Sequence, residues 1–163
     1  MRWSKLKRLV EDGFAQSLAK RLTINSTAYG ACSCGHACLS LDGKIIANFC
    51  TRAYWNREMD ILPERANKMY ADQYAAYGEM SRQGAYEACW EFVHDITIED
   101  ALNDKDPLIQ TLAIVDKRMG KRRLSQMDAS SLHPLAQKLL AERIRAEGIR
   151  AHTKSHEPIP ARL

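Results

Sequence analysis

Four residues that can bind metal or carry redox chemistry occupy every second position of one short segment: Cys32, Cys34, His36 and Cys38. Thiolate and imidazole are preferred ligands of zinc, and an exposed thiol of low pKa can act as a nucleophile or redox sensor. In an extended strand, alternate side chains on one face lie roughly 6.6 Å apart. The ligands of one tetrahedral zinc lie only about 3.7 Å from each other. A shared zinc site therefore requires the segment to bend.

Three interpretations of this segment stand. A bend at Gly30 and Gly35 would bring the ligands together around zinc, with Cys50 and Cys89 as further candidates from elsewhere in the fold. A redox-active pair could form between the first two cysteines, although a disulfide between residues so close is geometrically awkward. The same period of two is also typical of a hairpin strand, in which small semi-polar residues need no chemical role.

The composition bounds the class of protein. Of the 163 residues, 45% are hydrophobic and the formal net charge is +4. This length supports one core, so we expect a single α+β domain over residues 1–150 and a loose tail over 151–163. No apolar run approaches the roughly 20 residues of a membrane helix, and no signal core follows the N-terminal cations, so we expect a cytoplasmic protein. In a reducing cytosol the five cysteines are thiols or ligands rather than a disulfide framework.

Hydrophobic periodicity predicts an N-terminal helix packed on a three-stranded antiparallel meander, followed by a mainly helical C-terminal half. Proline and capping residues mark the helix starts, and glycines at 84, 120 and 148 are placed to end three helices. The predicted elements are a helix from Trp3 to about Leu22, strands over Leu22–Tyr29 and on both sides of Asp42-Gly43, and helices beginning at Pro63, about Ala85, Thr97, Asp106 and Pro134.

The turn of the predicted hairpin follows from the parity of its apolar residues. A two-residue turn at Asp42-Gly43 would pair Leu41 with Lys44 and mix polar and apolar sides. We therefore predict a three-residue loop, Leu41-Asp42-Gly43, with Gly43 left-handed in a bulge and Ser40 opposite Lys44. In this register one buried face carries Ala37, Leu39, Ile45, Ala47 and Phe49.

Two further groups of residues admit a chemical and a structural interpretation. Glu91 and His94 match half of a di-iron carboxylate motif, with Glu87 one turn earlier. The second half of such a motif is absent from the sequence, so a solvated helix face is the better interpretation. The aromatic residues could form a stacking platform or ligand-binding wall, but their helical spacing favours packing in the core. They are Tyr70, Tyr74 and Tyr77, with Tyr54 and Trp55 upstream.

A basic segment carries most of the excess charge. Its cations, five in seven residues, are Lys117, Arg118, Lys121, Arg122 and Arg123. Because they bracket a predicted helix end at Gly120, one interpretation is that they satisfy the last carbonyls and the negative end of the helix dipole. The functional interpretation is contact with an anionic partner, nucleic acid or an acidic protein.

Three stretches of the sequence resemble one family of short, uncharacterised bacterial proteins. The resemblance extends from Trp3 to about Gly148. The stretches are Trp3-Ser4-Lys5-Leu6-Lys7, Leu41-Asp42-Gly43-Lys44 and Asp116-Lys117-Arg118-Met119-Gly120-Lys121-Arg122-Arg123-Leu124. The resemblance implies a bacterial protein, carried on a mobile gene cassette, and brings no activity. It also implies that relatives lack the cysteine array, which directs attention to the basic segment.

The leading hypothesis is a non-enzymatic binding protein whose basic segment, residues 117–123, contacts an anionic partner. A zinc-binding or thiol-based protein using the segment Cys32–Cys38 is the second hypothesis, with zinc as its cofactor. A small-molecule enzyme is the third, suggested only by tyrosine and tryptophan around a sheet–helix cleft. No catalytic motif is present in the sequence, so no catalytic residue is predicted. The oligomeric state is open, a homodimer included.

Overall fold

The computed structural model describes residues 1–28, 35–49, 80 and 82–149. The observed order confirms the predicted α+β fold, in which a helix precedes a three-stranded antiparallel sheet and a mainly helical C-terminal half. The elements are α1 (Trp3–Asp12), β1 (Leu22–Ala28), β2 (Gly35–Leu41), β3 (Lys44–Asn48), α2 (Arg82–His94), α3 (Ile98–Leu102), α4 (Pro107–Val115), α5 (Lys121–Gln126), a 3₁₀ turn (Ala129–Ser131) and α6 (Pro134–Glu147). Their buried residues form one hydrophobic cluster.

Helix α1 is shorter than predicted. Its apolar stripe buries Leu6 and Val10, as the spacing indicates, but the helix ends at Asp12 rather than near Leu22. The chain leaves the helix because its backbone pairs with the segment after α4. The N–H of Ala15 donates to the carbonyl of Val115 at 2.8 Å. The carbonyl of Gly13 accepts from the N–H of Lys117, also at 2.8 Å. This pairing joins the end of α1 to the helical half of the chain.

The sheet is a meander in the order β1-β2-β3. Ile24 of β1 lies opposite Leu39 of β2, which lies opposite Ala47 of β3. All three side chains are 1% exposed or less, so they form the core face of the sheet. On the outer edge of β1, the N–H of Ile24 has no strand partner and donates instead to Glu11 Oε1 at 3.0 Å. Helix α1 therefore covers an edge that would otherwise expose an unpaired backbone group.

The hairpin turn differs from the prediction. Leu41 pairs with Lys44, so Asp42 and Gly43 alone form the turn, with φ of 50° and 77°. Positive φ at both central residues is the requirement of a type I′ turn, whose twist matches that of the flanking strands. The predicted three-residue loop with Ser40 opposite Lys44 is wrong.

The two-residue turn alone would mix polar and apolar residues on each face, and an irregularity within the strands prevents this. Ser40 pairs with Ile45, but Leu39 pairs with Ala47, so Ile46 is an extra residue that forms a β-bulge in β3. The bulge shifts the alternation by one position, and Ile45 is only half-buried as a result. The other residues of the predicted face are buried: Ala37, Leu39, Ala47 and Phe49.

The helix starts of the C-terminal half follow local capping rules. Thr97 Oγ1 accepts a hydrogen bond from the N–H of Asp100 at 3.1 Å, so Thr97 is the N-cap of α3, where the sequence predicts a helix start. Asp106, immediately before the proline that begins α4, accepts from the N–H groups of Leu108 and Ile109 at 2.7 and 3.2 Å. These bonds satisfy donors that a helix N-terminus leaves free.

Helix α4 lies at the centre of the helical half. Every residue from Leu108 to Val115 is buried, because α2, α3 and α6 all pack against it. One of these residues is polar. Gln110 Nε2 donates to the carbonyl of Leu102 at 2.9 Å, and its Oε1 accepts from the N–H of His133 at 2.6 Å. Gln110 therefore joins the last residue of α3 to the residue that caps α6.

Helix α6 ends as predicted. Gly148 has φ 62° and ψ 33°, the left-handed conformation that favours glycine after a helix. The N–H of Ile149 donates to the carbonyl of Ile144 at 3.0 Å and completes the C-terminal cap. The predicted helix from Pro63 lies mostly outside the described residues, but its predicted end at Gly84 is wrong, because Gly84 lies inside α2. The tail over 151–163 lies outside the described residues. Among the described helices, none combines the length and the apolar character needed to cross a membrane.

Candidate functional site

The basic segment does not lie at the end of the helix predicted to carry it. Helix α4 ends at Val115, and Gly120 is the N-cap of α5 with φ −74° rather than a C-terminal stop. Lys121 to Arg123 therefore occupy the first turn of α5. The dipole is positive at this end of a helix, so cations there are disfavoured by their own helix. The interpretation in which these cations compensate the end of α4 is wrong.

The two lysines of the segment cap neighbouring helices instead. Lys117 Nζ donates to the carbonyl of Asp12 at 2.9 Å, at the end of α1. Lys121 Nζ donates to the carbonyl of Glu147 at 3.1 Å, at the end of α6. Each lysine satisfies a carbonyl that its helix leaves without a partner and lies near the negative end of that helix dipole.

Arg118 is held against the residue that follows α4. Its Nε and Nη2 contact the two carboxylate oxygens of Asp116 at 2.9 and 3.0 Å, and its guanidinium lies 5.5 Å from the ring centroid of Phe92. The hydrogen bond to the Asp116 carboxylate raises the pKa of Arg118, so its charge is fixed. The side chain is nevertheless 52% exposed and remains accessible to a partner.

The last two arginines of the segment differ from each other. Arg123 Nη1 lies 2.8 Å from Glu99 Oε1, an ion pair between two side chains about half exposed to solvent. The guanidinium of Arg122, by contrast, makes no hydrogen bond or ion pair with any part of the chain that the structure describes, and the residue is exposed. Arg122 is the cation of the segment that is available without breaking an internal contact.

Arg143 is a buried arginine that the sequence did not predict, and it binds the backbone on both sides of the first residues of the basic segment. Arg143 of α6 is 2% exposed. Its Nη1 donates to the carbonyls of Ile114 and Asp116 at 2.6 and 2.7 Å, its Nη2 donates to Met119 O at 2.5 Å, and its Nε donates to Glu147 Oε1 at 2.8 Å. The signal in the sequence is an arginine one turn after Leu139, on the apolar side of α6. Arg143 fixes the backbone from which the basic segment projects.

A mixed-charge groove opens beside the segment. It has a volume of about 460 Å³, and Lys117 lines it together with Lys20. Glu11 and Asp12 line it as well, so both signs of charge meet in the same groove. The groove therefore favours no single charge type of ligand.

Only part of the predicted metal segment lies within the described residues. Cys32 and Cys34 lie outside the described residues, and His36 and Cys38 lie on β2, which is regular from Gly35. Cys38 is buried, and burial raises the pKa of its thiol. Within residues 1–28, 35–49 and 82–149, no group of three or more His, Cys, Asp or Glu side chains could hold a metal ion. Cys50 also lies outside the described residues.

Cys89 is the most protected thiol described. It is 0% exposed on the core side of α2, and burial raises the pKa of its thiol to about 12. We expect native protein at pH 8 to be alkylated by iodoacetamide at Cys89 more than about a hundredfold more slowly than denatured protein, because the thiolate is the reacting form. Peptide mass mapping over time measures both rates. Comparable rates in the two states would contradict the buried placement.

The half motif on α2 lies on a solvated face, as the sequence favoured. Glu87, Glu91 and His94 are exposed. The His94 ring stacks on Trp90 at a centroid distance of 4.1 Å, and its Nδ1 lies 3.0 Å from the Trp90 carbonyl. Trp90 in turn stacks on Tyr86 at 6.4 Å. The predicted aromatic residues from Tyr54 to Tyr77 lie outside the described residues.

Asn48 is a buried polar residue of the sheet that the sequence did not predict. Asn48, the last residue of β3, is 0% exposed, and neither its side-chain nitrogen nor its side-chain oxygen has a hydrogen-bond partner among the described residues. It lies opposite Cys38, which lies opposite Asn25. The alternation of the strands places these three residues on the sheet face away from Leu39, so this face is polar where the other is apolar.

Comparison with known proteins identifies a family. The sequence model of the SF0329 protein family matches residues 2–144. No curated protein and no solved structure matches the chain. The matched span agrees with the resemblance expected from Trp3 to about Gly148, and it contains the basic segment, Gln110 and Arg143. The chain belongs to the SF0329 protein family.

Proposed function

We propose that this protein is a small non-enzymatic binding protein whose basic segment contacts a nucleic-acid backbone. The observation that carries the proposal is the exposure of Arg122, which has no internal partner among the described residues. It lies between cations that are held in place by their own contacts. Each lysine or arginine near a phosphate backbone adds a favourable, salt-dependent and sequence-independent contribution to binding.

The contacts of the other cations support the proposal by making the segment rigid. Lys117 and Lys121 are tied to the ends of α1 and α6, and Arg143 holds the carbonyl of Met119 between them. A surface that is already ordered loses less conformational entropy when a partner binds. Arg118 and Arg123 keep about half of their side-chain surface exposed, so their remaining N–H groups can reach a partner.

An acidic protein is the second candidate partner. Arg118 and Arg123 each contact a carboxylate of this chain, Asp116 and Glu99. These contacts support binding to carboxylates as well as phosphates. We also infer a bacterial origin, from the resemblance, and a cytoplasmic location, from the interpretation of the five cysteines as reduced thiols.

Arg122→Ala tests the proposal directly. We expect weak binding to duplex DNA, single-stranded DNA or RNA whose affinity falls as salt rises, and a decrease of about 1 in the slope of log K against log salt for the variant. The free energy of unfolding should stay within about 0.5 kcal/mol of the parent, because the exposed side chain has no hydrogen bond or ion pair to lose within the described part of the chain. Fluorescence anisotropy at several salt concentrations gives the slope.

Arg82→Ala is the matched control, because Arg82 is also exposed and lies on α2. It should leave both the affinity and the salt slope unchanged. The absence of binding to any nucleic acid at low salt, or equal slopes for parent and Arg122→Ala, would overturn the nucleic-acid proposal. Binding to a polyglutamate probe, but not to nucleic acid, would identify the acidic-protein candidate instead.

A further inference from the structure

The outer face of α1 carries cations without partners. Arg2, Lys5 and Arg8 are exposed, and none of their side chains makes an ion pair or hydrogen bond with the described part of the chain. Met1 and Leu9, on the same helix or just before it, are 46% and 38% exposed, the large apolar residues of the described chain that are most open to solvent. The N-terminus of α1 has no acidic residue in its first turn and no side-chain cap. Cations at this end oppose the helix dipole.

The outer face of α2 and the residue that follows this helix carry the opposite charge. Glu87, Glu91 and Asp95 follow one another at intervals of four residues and are all exposed. Glu87 accepts a hydrogen bond from Gln83 at 2.7 Å, whereas no ion pair in the described residues involves any of the three carboxylates. Like charges four residues apart repel each other, and Glu91 and Asp95 lie near the negative end of the α2 dipole. This acidic stripe is therefore unfavourable for its own helix.

The two stripes belong to adjacent helices. Helices α1 and α2 pack against each other, and Tyr86 Oη of α2 donates to the carbonyl of Met1 at 2.8 Å. A groove of about 530 Å³ lies at this junction, and its lining includes Met1, Tyr86 and Trp90 together with Glu87 and Glu91. One surface thus combines a cationic stripe, an acidic stripe and exposed apolar and aromatic side chains.

We propose that this surface binds a second copy of the same chain in a twofold-symmetric dimer. In an isologous interface each patch meets its own copy after a rotation of 180°. That rotation places α1 of one protomer against α2 of its partner, so each cationic stripe faces an acidic stripe. Both stripes then gain opposite charges, and Met1, Leu9 and Trp90 leave water near the centre. A foreign cationic partner would complement the α2 stripe alone, and an anionic one only the α1 stripe.

Charge reversal in two variants tests the dimer. In the acidic variant, Lys5→Glu and Arg8→Glu make α1 negative; in the basic variant, Glu91→Lys and Asp95→Lys make α2 positive. Each variant alone should self-associate at least about tenfold more weakly than the parent, because like charges then face each other across the interface. An equal mixture of the two should restore association, since every α1–α2 contact in the mixed dimer pairs opposite charges.

Sedimentation equilibrium measures these associations. At concentrations up to about 100 µM, where an interface of moderate size is occupied, the parent should approach twice the 18.5 kDa mass of the chain. A variant with Lys44→Glu and Lys105→Glu changes the net charge as much as the acidic variant but lies outside the surface, and it should associate like the parent. Circular dichroism establishes that each variant is folded.

Three results would overturn the proposal. The first is a parent protein that stays monomeric at low salt over this range. The second is a dimer that neither reversed variant weakens. The third is a mixture of the two reversed variants that associates no better than each one alone. Binding of a Lys-rich or Arg-rich peptide by a monomeric parent would instead assign the α2 stripe to a foreign cationic partner.

Discussion

Replacing Arg143 with methionine should lower the free energy of unfolding by about 3 to 5 kcal/mol, the range seen when one partner of a buried charged network is removed. Methionine fills much of the same volume but donates no hydrogen bond. The carbonyls of Ile114, Asp116 and Met119 would lose a donor, and Glu147 would lose its ion pair. Urea unfolding followed by circular dichroism measures the loss.

Two variants control this measurement. Arg145→Met removes an arginine from the same helix whose side chain is 71% exposed, so the loss should be below about 1 kcal/mol. Arg143→Lys keeps the charge but has no planar fork of donors, so most of the loss should persist. A loss below about 1 kcal/mol for Arg143→Met would show that the three carbonyls find other donors.

The second large effect is expected at Gln110. Gln110→Leu should lower the free energy of unfolding by about 2 to 4 kcal/mol, because leucine fits an apolar site but leaves the Leu102 carbonyl and the His133 N–H without partners. Gln110 is 7% exposed, so water reaches these groups poorly. The same urea titration reports the change.

An exposed glutamine provides the control for this substitution. Gln126, at the end of α5, is exposed, and its side chain makes no hydrogen bond with the described part of the chain. Gln126→Leu should change stability by less than about 0.5 kcal/mol. If Gln110→Leu had the same free energy of unfolding as the parent, the packing energy gained by leucine would equal the energy of the two lost hydrogen bonds. The contact between α3 and α6 would then not depend on Gln110.

The features that the sequence predicted correctly are local ones. Thr97 and Asp106 cap helices through their own side chains and the next three residues, so their role can be identified from a few adjacent positions. Gly148 needs only its own left-handed backbone to end α6. The apolar spacing of Leu6 and Val10 likewise identifies the buried face of α1. In each case the physical cause lies within one or two helical turns.

The errors come from contacts between distant parts of the chain. Helix α1 stops early because residues 13–15 pair with residues 115–117. The alternation of apolar residues in the hairpin requires one extra residue. A bulge at Ile46 supplies that residue as well as a longer turn would, and the local sequence pattern does not distinguish the two. Helix α4 ends before Gly120 because Arg143, from α6, holds the following carbonyls in a turn.

The candidate site was predicted only in part. The basic segment is identifiable from charge density alone, but the sequence could not show that Lys117 and Lys121 cap other helices. Nor could it single out Arg122 from the arginine beside it, because the difference depends on Glu99, far along the chain. Which cation is available to a partner is a property of the folded surface.

The bridge between Phe14 and Asp116 has a consequence for how the molecule folds. It closes a loop of about a hundred residues, and the entropy of closing so long a loop opposes folding until the partner strands and helices are in place. Long-range closure of this kind slows folding relative to a chain of local contacts. Since Arg143 also reaches the same turn, helices α1 and α6 stabilise each other. These two helices are therefore expected to form and unfold together rather than as separate units.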